Sequence, residues 1–293
     1  MIVATLKNTV INDTGYFQFP VGTTAQRPAS PATGQSRINS DTNALEVYLN
    51  GAWTNAAIYG GDGTSAARAA LSSVAIKQAN PSATTGWYWL NLDGTARQYW
   101  VDMDYSGGGW VMVLSHYGGV ALNAVTYSQS TTNYSYIGSS TLNIGSSNVY
   151  GFSFMAGLMA WDTIASRNNS GRYVVAMTAT SGTGPTAAAR RSRWTWSGWT
   201  ASYQWSNASG LTNEVGGTTP SLWSYHIAGN YSFYAYDSGG NNCSSQFGNA
   251  PMWYGGCWDG SPWGGNGAGN YANNYFWTGS GGDYYAYGAI YVK

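Results

Sequence analysis

From Gly86 to its end, the chain consists of short apolar alternations separated by clusters of Gly, Ser and Asn. Segments such as YWLNL, RQYWVDM, GWVMVL, YVVAMTA, SRWTWSGW, YSFYAY and YYAYGAIYV have the period of two that is typical of β-strands. Helical periodicity is weak there, apart from FSFMAGLMAWDTIAS, which indicates a short helix. The pattern predicts a mainly β (α+β) domain with long irregular loops.

The composition restricts the ligands that such a domain would suit. Charged residues make up only 8% of the chain, whereas aromatic residues make up 16%. Disordered chains are poor in aromatic residues, so we expect a large core and a surface of hydroxyls, amides and backbone groups. Such a surface favours neutral, hydroxyl-rich ligands. The formal net charge of +0 argues against nucleic acid as a partner, because phosphates require clustered Lys and Arg.

No apolar window of about 18 residues is present, so we expect no membrane insertion. The first residues, MIVATLKNTVINDTG, lack a basic region followed by an apolar stretch, so no signal peptide is expected either.

The first 57 residues indicate a small β-meander. The segments ATGQSRIN, TNALEVYL and NGAWTN have strand character, and Asn50-Gly51 is a favourable hairpin corner. A module of this size is too small for a sound core of its own and gains stability by oligomerising. Residues 58–85 follow as a Gly-rich linker and a helix of about three turns over SAARAALSSVAIKQA, with Ser65 as its N-cap.

Residues 22–53, GTTAQRPASPATGQSRINSDTNALEVYLNGAW, resemble a short module of bacteriophage tail-fibre and other virion proteins. A small β-meander of no particular origin remains the alternative. The resemblance implies a homotrimer joined to other virion (tail, baseplate or capsid) proteins through residues 1–57. It also implies a location on the virion exterior, after assembly in the cytoplasm of the bacterial host.

Within residues 86–293 a second set of positions forms a pattern: Gly86, Tyr88, Leu90, Asp102-Met103, Gly108-Gly109-Trp110, Val113 and the closing strand YAYGAIYVK. In this pattern the segment resembles a fibrinogen C-terminal-like domain of the ficolin and intelectin kind. Val101 stands where the family has a Cys, so the family's first disulfide is missing. The resemblance implies a globular receptor-binding head, preceded here by the meander and the linker helix.

Cys243 and Cys257 are the two cysteines of the chain, and by themselves they fit inert thiols or a late disulfide. The resemblance implies that they form the family's closing disulfide. It also implies a calcium site just before Cys243, where Asp237, Asn241 and Asn242 are the available side-chain ligands. Because Ca²⁺ takes about 6–8 oxygen ligands, this set would hold it weakly, and bound calcium stays an open alternative.

In the family, ligand pockets lie beside the closing disulfide, and many of the ligands are glycans. A sugar ring stacks on an aromatic face and takes its orientation from a few polar groups. The expected contacts are Tyr254, Trp258, Asp259, Trp263, Asn266 and Asn270. Trp253 is expected to be a core residue instead.

The run RRSRWTWSGW, residues 190–199, has two interpretations. Its arginines could bind an anionic polysaccharide or the phosphate of a lipopolysaccharide. Alternatively, it is a solvated loop that enters a strand with one Trp face buried.

Hydrolysis of a glycosidic bond requires a pair of carboxylates at a set separation. The acids after residue 86 show no such pair, so no catalytic residues are expected and the protein is not predicted to be an enzyme. The sequence predicts a phage tail-fibre or spike protein whose fibrinogen-like head binds host-surface polysaccharide. The alternatives are a capsid decoration or structural fibre without a selective receptor and, less favoured, a polysaccharide depolymerase.

Overall fold

The computed structural model divides into two compact units, unit 1 (Met1–Ile58) and unit 2 (Tyr59–Lys293). The residues that it describes are 15–16, 18–41, 44–55, 61–117, 122, 125–138, 143–147, 149–168, 171–180, 182–217, 219–220, 223, 227–238, 244, 251–253 and 287–293. The predicted fold class is confirmed: the structure is mainly β, with few helices and long loops. No helix in the described ranges is long and apolar enough to cross a bilayer.

Unit 1 contains one four-stranded sheet in the order β1-β2-β3-β4. Its strands are β1 (Val21–Gly22), β2 (Ser36–Asn39), β3 (Ala44–Leu49) and β4 (Ala52–Asn55). Strand β1 runs parallel to β2, and the other pairs are antiparallel. Asn50 (φ 50°) and Gly51 (φ 80°) join β3 to β4 with the left-handed backbone of a two-residue hairpin turn, as predicted.

The buried side chains in the described part of unit 1 are polar: Arg37, Asn39 and Glu46. Glu46 is 3% exposed and accepts hydrogen bonds from Arg27 Nη2 at 2.6 Å and Asn39 Nδ2 at 3.1 Å. Arg37 Nε lies 3.3 Å from Glu46 Oε1, and Arg37 Nη1 donates to the Gln26 carbonyl at 2.7 Å. An ion-pair network therefore holds the strands and the preceding loop together.

Unit 2 is organised around one antiparallel sheet, in the order β12-β11-β10-β15-β7-β6-β5. These strands are β5 (Gly86–Asn91), β6 (Ala96–Asp102), β7 (Trp110–Tyr117), β10 (Arg172–Ala179), β11 (Arg190–Trp196), β12 (Ser209–Val215) and β15 (Tyr287–Val292). Strand β9 (Phe154–Ala156) pairs antiparallel with β7, and the short strand β8 (Tyr136–Gly138) pairs antiparallel with β9. Strands β13 (Phe233–Tyr234) and β14 (Met252–Trp253) form a separate pair.

The last strand of the chain lies in the middle of this sheet. Strand β15 pairs with β10 on one side and β7 on the other, and all six of its residues are buried. The helices are α1 (Ser73–Ala79), α2 (Tyr127–Thr132) and α3 (Leu158–Arg167). Helix α3 buries Leu158, Trp161 and Ile164, which lie at helical spacing on one face and pack in the core.

The helix predicted over residues 65–79 was wrong in length. Ser65 precedes only a 3₁₀ turn, Ala66–Arg68, and the α-helix begins after Ser72, whose Oγ accepts a hydrogen bond from Ala75 N at 3.3 Å. Between the two, Ala70 forms a parallel bridge with Leu90. The backbone of Ala70 is occupied by the sheet edge, so it cannot continue a helix.

His116 gives unit 2 a distinct pH dependence, because it is fully buried in β7 and burial lowers its pKa to about 3. Its unfolded pKa is 6.5, so the neutral form stabilises the fold above pH 6.5 and this contribution is lost as the pH falls toward 3. We expect the free energy of unfolding to drop by about 2 kcal/mol between pH 7 and pH 4.5 from this group. Urea titrations of the parent and His116→Gln test this. The variant should show a shallower slope over that range, and an identical slope would contradict the prediction.

Candidate functional site

Seven tryptophans in ring contact with one another, here called the tryptophan cluster, are found in the described part of unit 2. Its members are Trp161, Trp194, Trp196, Trp199, Trp205, Trp223 and Trp253. Trp194 and Trp196 alternate inward from β11, and Trp161 comes from α3. Trp199 and Trp205 face each other across a bridged turn. Trp253 stacks on Trp199 with ring centres 5.4 Å apart and planes at 23°.

The turn between Trp199 and Trp205 is fixed by local hydrogen bonds. Thr200 Oγ1 accepts from Gln204 N at 3.0 Å, and Tyr203 takes a left-handed backbone (φ 53°). Trp253 Nε1 donates to the Tyr203 carbonyl at 2.6 Å, which connects the turn to β14. The tryptophan cluster is therefore a rigid base on which the turn and β13 are held.

On this base lies a cleft of about 560 Å³, here called the tyrosine cleft. Its lining residues are Tyr127, Ser128, Ala201, Ser202, Ser232, Phe233, Tyr234, Asp237 and Ser238. Phe233 contacts Trp253 edge-to-face at 5.0 Å, and Tyr127 contacts Tyr203 in the same way at 6.0 Å. The lining therefore combines two partly exposed tyrosine side chains, Tyr127 and Tyr234, with serine hydroxyl groups, and Phe233 is buried beside them.

Burial raises the pKa of Tyr127, with smaller contributions from Tyr203 and Tyr234. The Tyr127 hydroxyl therefore stays protonated well above neutral pH and can both donate and accept a hydrogen bond. A neutral, hydroxyl-rich ligand matches a lining of tyrosine and serine hydroxyl groups.

Several solved structures are similar in fold to this protein. The fibrinogen-like globe domain of human ANGPTL6 has a TM-score of 0.54 and 16% identity, covering 76% of this chain and 94% of that one. The corresponding domain of human ANGPTL2 has a TM-score of 0.47 and 16% identity, covering 74% and 95%. Lamprey fibrin D-dimer, in a complex with the peptide Gly-His-Arg-Pro-amide, has a TM-score of 0.49 and 13% identity, covering 76% and 72%. No family model and no curated protein matches the chain.

Unit 2 has the fibrinogen-like fold. A match over 76% of the chain must lie largely in unit 2, since unit 1 ends at Ile58. The fold suggested by the Gly-Gly-Trp strand and the closing YAYGAIYVK strand is thus confirmed. Val101, which replaces the cysteine expected at this position from the resemblance, is fully buried in β6.

Most of the site residues predicted from sequence lie outside the described residues of the fibrinogen-like unit. These are Tyr254, Trp258, Asp259, Trp263, Asn266 and Asn270, the cysteines Cys243 and Cys257, and the calcium candidates Asn241 and Asn242. Trp253 is described and is 2% exposed, so the expectation that it belongs to the core is confirmed.

Asp237, the remaining calcium candidate, is described and lies at the edge of the tyrosine cleft. Its Oδ1 accepts a hydrogen bond of 2.6 Å from the backbone N–H of Tyr127, the first residue of α2. One of the two carboxylate oxygens of Asp237 is therefore already used as a hydrogen-bond acceptor at the N-terminus of α2. Among the described residues no group of three or more acidic, His or Cys side chains is placed to hold a metal ion.

The arginine- and tryptophan-rich run matches the second of its two interpretations in part. Residues 190–196 form β11, and Trp194 and Trp196 are buried on one face. The arginines are not simply solvated, because Arg191 and Arg193 lie with their Nε atoms 2.7 and 3.2 Å from the Glu214 carboxylate. Strand β12, which carries Glu214, was not predicted from sequence.

The acids that unit 2 places within the described ranges all make structural contacts. These are Asp62 with Arg68, Asp93 with Arg97, Asp162 with Arg172, Asp102 with two backbone N–H groups, Asp104 with Thr85, Glu214 with its arginines and Asp237 with α2. In each case the carboxylate is engaged by another part of the fold.

Proposed function

We propose that unit 2 binds a neutral glycan in the tyrosine cleft, and that the protein is a fibre or spike component of a bacteriophage virion that adsorbs to its host in this way. The observation that carries the binding proposal is the cleft itself. Its lining brings the partly exposed rings of Tyr127 and Tyr234 together with serine hydroxyl groups. A pyranose ring presents an apolar face and a hydroxyl edge, which this arrangement complements.

The tryptophan cluster holds the cleft residues in place, and this should increase the affinity for a ligand. The tryptophan cluster and the Trp253–Tyr203 hydrogen bond fix the turn and β13 before a ligand arrives. Pre-organisation lowers the ordering cost of binding. Tyr254, Trp258, Asp259, Trp263, Asn266 and Asn270 follow β14 in the chain, and we propose them as further ligand contacts on sequence grounds.

The decisive measurement is glycan binding by Tyr234→Ala and Tyr127→Ala. Loss of one stacking aromatic should weaken binding by about 1–2 kcal/mol, about tenfold. Tyr236→Ala is the matched control, because Tyr236 is 45% exposed and does not line the cleft. Binding is measured on an array of bacterial surface polysaccharides and by adsorption to host cells. If both cleft variants bind like the parent while still folded, the site lies elsewhere.

A binding role is favoured over hydrolysis because the described carboxylates of unit 2 are committed to structural contacts. Release of reducing ends from the bound polysaccharide would show a depolymerase instead. A folded protein that binds no glycan but incorporates into virions would support a purely structural fibre.

We further propose that unit 1 associates into a homotrimer and attaches the protein to other virion proteins, on the exterior of the particle. Cross-strand register places Val21, Ile38, Leu45 and Val47 on one sheet face, because alternate residues share a face. Val21 is 62% exposed and Leu49, on the same face, is 40% exposed. Soluble domains ordinarily bury apolar side chains and expose charged ones, and this sheet does the opposite. An exposed apolar face of this kind supports packing of unit 1 against further copies of itself.

A further inference from the structure

Three of the chain's 12 Lys and Arg residues meet on one face of the unit 2 sheet. Arg191 and Arg193 belong to β11, and Lys293 follows β15. Arg193 Nη1 donates to Ser106 Oγ at 3.3 Å, and Lys293 Nζ donates to the Ser106 carbonyl at 3.2 Å. Glu214 is the acid that pairs with these cations among the described residues, so positive charge is in excess.

The three cations differ in how fully they are engaged. Arg191 uses Nε for Glu214, Nη1 for the Pro185 carbonyl and its planar face for the ring of Tyr105. Arg193 uses Nε and Nη1, so within the described residues Nη2 has no hydrogen-bond acceptor. Lys293 makes one side-chain hydrogen bond to the part of the chain that the structure describes, with an ammonium group that has three N–H donors. Donors therefore remain on two adjacent cations.

Both cations also lie over aromatic rings, which hold them in place without using their N–H donors. The Arg193 guanidinium lies 6.0 Å from the ring centre of Tyr173, and Lys293 Nζ lies 5.6 Å from that of Trp110. Burial, followed by the proximity of Arg193, lowers the pKa of Lys293. Two like charges held together in a half-buried position favour a bound anion, since attraction is stronger away from bulk water.

The turn that both cations contact has an unusual backbone. Ser106 (φ 43°) and the three glycines after it, Gly107, Gly108 and Gly109, all have positive φ. Only glycine adopts this region without cost, so Ser106 is strained, and such strain clusters at functional sites. Ser106 and Gly107 are exposed, and a Cβ added to Gly107 would lie 3.8 Å from Lys293 Nζ, so there is room beside the ammonium.

We propose that Arg193, Lys293 and the Ser106–Gly107 turn form a second binding site, which takes a carboxylate or sulfate group of an acidic polysaccharide. None of these residues lines the tyrosine cleft. The site offers one pair of cations rather than the extended basic stripe that a nucleic-acid backbone requires, and the chain has a net charge of +0. It therefore suits a single charged substituent on a largely neutral polymer.

The test compares binding of polygalacturonate, dextran sulfate and neutral dextran at low ionic strength, by titration calorimetry. We expect the parent to bind at least one of the two polyanions and not neutral dextran, with affinity falling as salt is added. Comparing the affinities for polygalacturonate and dextran sulfate shows whether the site prefers a carboxylate or a sulfate group. Lys293→Gln and Arg193→Gln should each weaken binding about tenfold, the effect of one charge-assisted hydrogen bond.

Two control variants separate the site from general charge effects. Lys293→Arg should retain binding, and Arg68→Gln, which removes an exposed arginine elsewhere in unit 2, should leave it unchanged. Melting temperatures identify a variant that fails to fold, and Lys293→Gln keeps the test valid if Arg193→Gln is unstable. Neutral-glycan binding at the tyrosine cleft should not change in any of these variants.

Three outcomes would overturn the proposal. The parent could bind neither polyanion, Lys293→Gln could bind like the parent, or Arg68→Gln could weaken binding as much as Lys293→Gln. Equal affinity for a DNA duplex, lost in the same variants, would replace the polysaccharide by nucleic acid.

Discussion

Replacing Trp253 with alanine should destabilise unit 2 by about 3–5 kcal/mol, the range for truncating a buried aromatic side chain. Trp253 is 2% exposed and contacts Trp199, Trp205 and Phe233 with ring centres 5.4, 5.1 and 5.0 Å away. Alanine would leave a cavity among these rings and remove the hydrogen bond to the Tyr203 carbonyl. Urea unfolding followed by far-UV circular dichroism measures the loss without relying on tryptophan fluorescence.

Trp253→Phe is the matched variant, because it keeps an aromatic ring and removes the N–H donor. Its cost should be smaller, about 1–2 kcal/mol, since the Tyr203 carbonyl loses its partner but a six-membered aromatic ring still fills most of the space. Both variants should also weaken glycan binding, because Phe233 and Tyr203 are held by Trp253. A loss below about 1 kcal/mol for the alanine variant would mean that the tryptophan cluster is not a cooperative part of the core.

Glu46→Gln should destabilise unit 1 by about 3 kcal/mol, because removing one partner of a buried ion pair leaves the other charge uncompensated. Here two cations would lose their partner, since Arg27 and Arg37 both lie within 3.3 Å of the Glu46 carboxylate. No buried apolar side chain in the described part of unit 1 would offset this loss. Hydrogen exchange of the backbone amides in β2 and β3 measures the effect, with unit 2 as the internal reference.

The same variant tests the proposed assembly. If unit 1 holds a trimer together, light scattering should give the mass of three chains for the parent and a lower mass for Glu46→Gln. Asp41→Asn is the control, because Asp41 is exposed and its carboxylate accepts a hydrogen bond of 2.8 Å from Thr24 N without an ion pair to any described residue. A parent with the mass of one chain would refute the trimer, whereas unchanged exchange in Glu46→Gln would refute the role of the ion pairs.

Acid should reproduce the Glu46→Gln effect in the parent. The hydrogen bond from Arg27 is the main cause that lowers the Glu46 pKa below its ordinary 4.5. A lowered folded pKa means that the stabilisation is fully present above 4.5 and is lost as the pH falls through the folded value. The parent should therefore lose exchange protection in unit 1 below this pH, and the variant should show little further change.

The strands were largely predictable, because a strand that is buried on one face repeats every two residues whatever its partner. The segments assigned from sequence correspond to β5, β6, β7, β10, β11, β13 and β15. The Asn50-Gly51 hairpin was equally predictable, since its turn type requires positive φ at both residues. Strand β12, SGLTNEV, was missed because it is an edge strand with polar residues and only partial burial.

The candidate site was less predictable, because it joins residues that are distant in sequence. Tyr127 and Asp237 are 110 positions apart, and Tyr203 and Trp253 are 50 apart. The aromatic and hydroxyl side chains of YSFYAYD, residues 231–237, could have indicated the cleft. From the sequence, this segment was interpreted only as a strand followed by a calcium ligand, Asp237. The ion pairs of Arg191 and Arg193 with Glu214 could not be predicted either, because Glu214 lies on β12, which was not predicted from the sequence.

By itself the sequence determined the fold class, since local alternation, turn residues and the Gly-Gly-Trp and closing-strand matches reflect short-range backbone requirements. It also determined that Trp253 is buried. Only the tertiary structure decided what each polar group does: that Asp237 accepts a hydrogen bond from the first backbone N–H of α2, that Glu46 lies between two arginines, and that Arg193 and Lys293 meet at Ser106. These contacts depend on strand order, which brings β15 between β10 and β7, and strand order follows from packing of the whole core rather than from any local pattern.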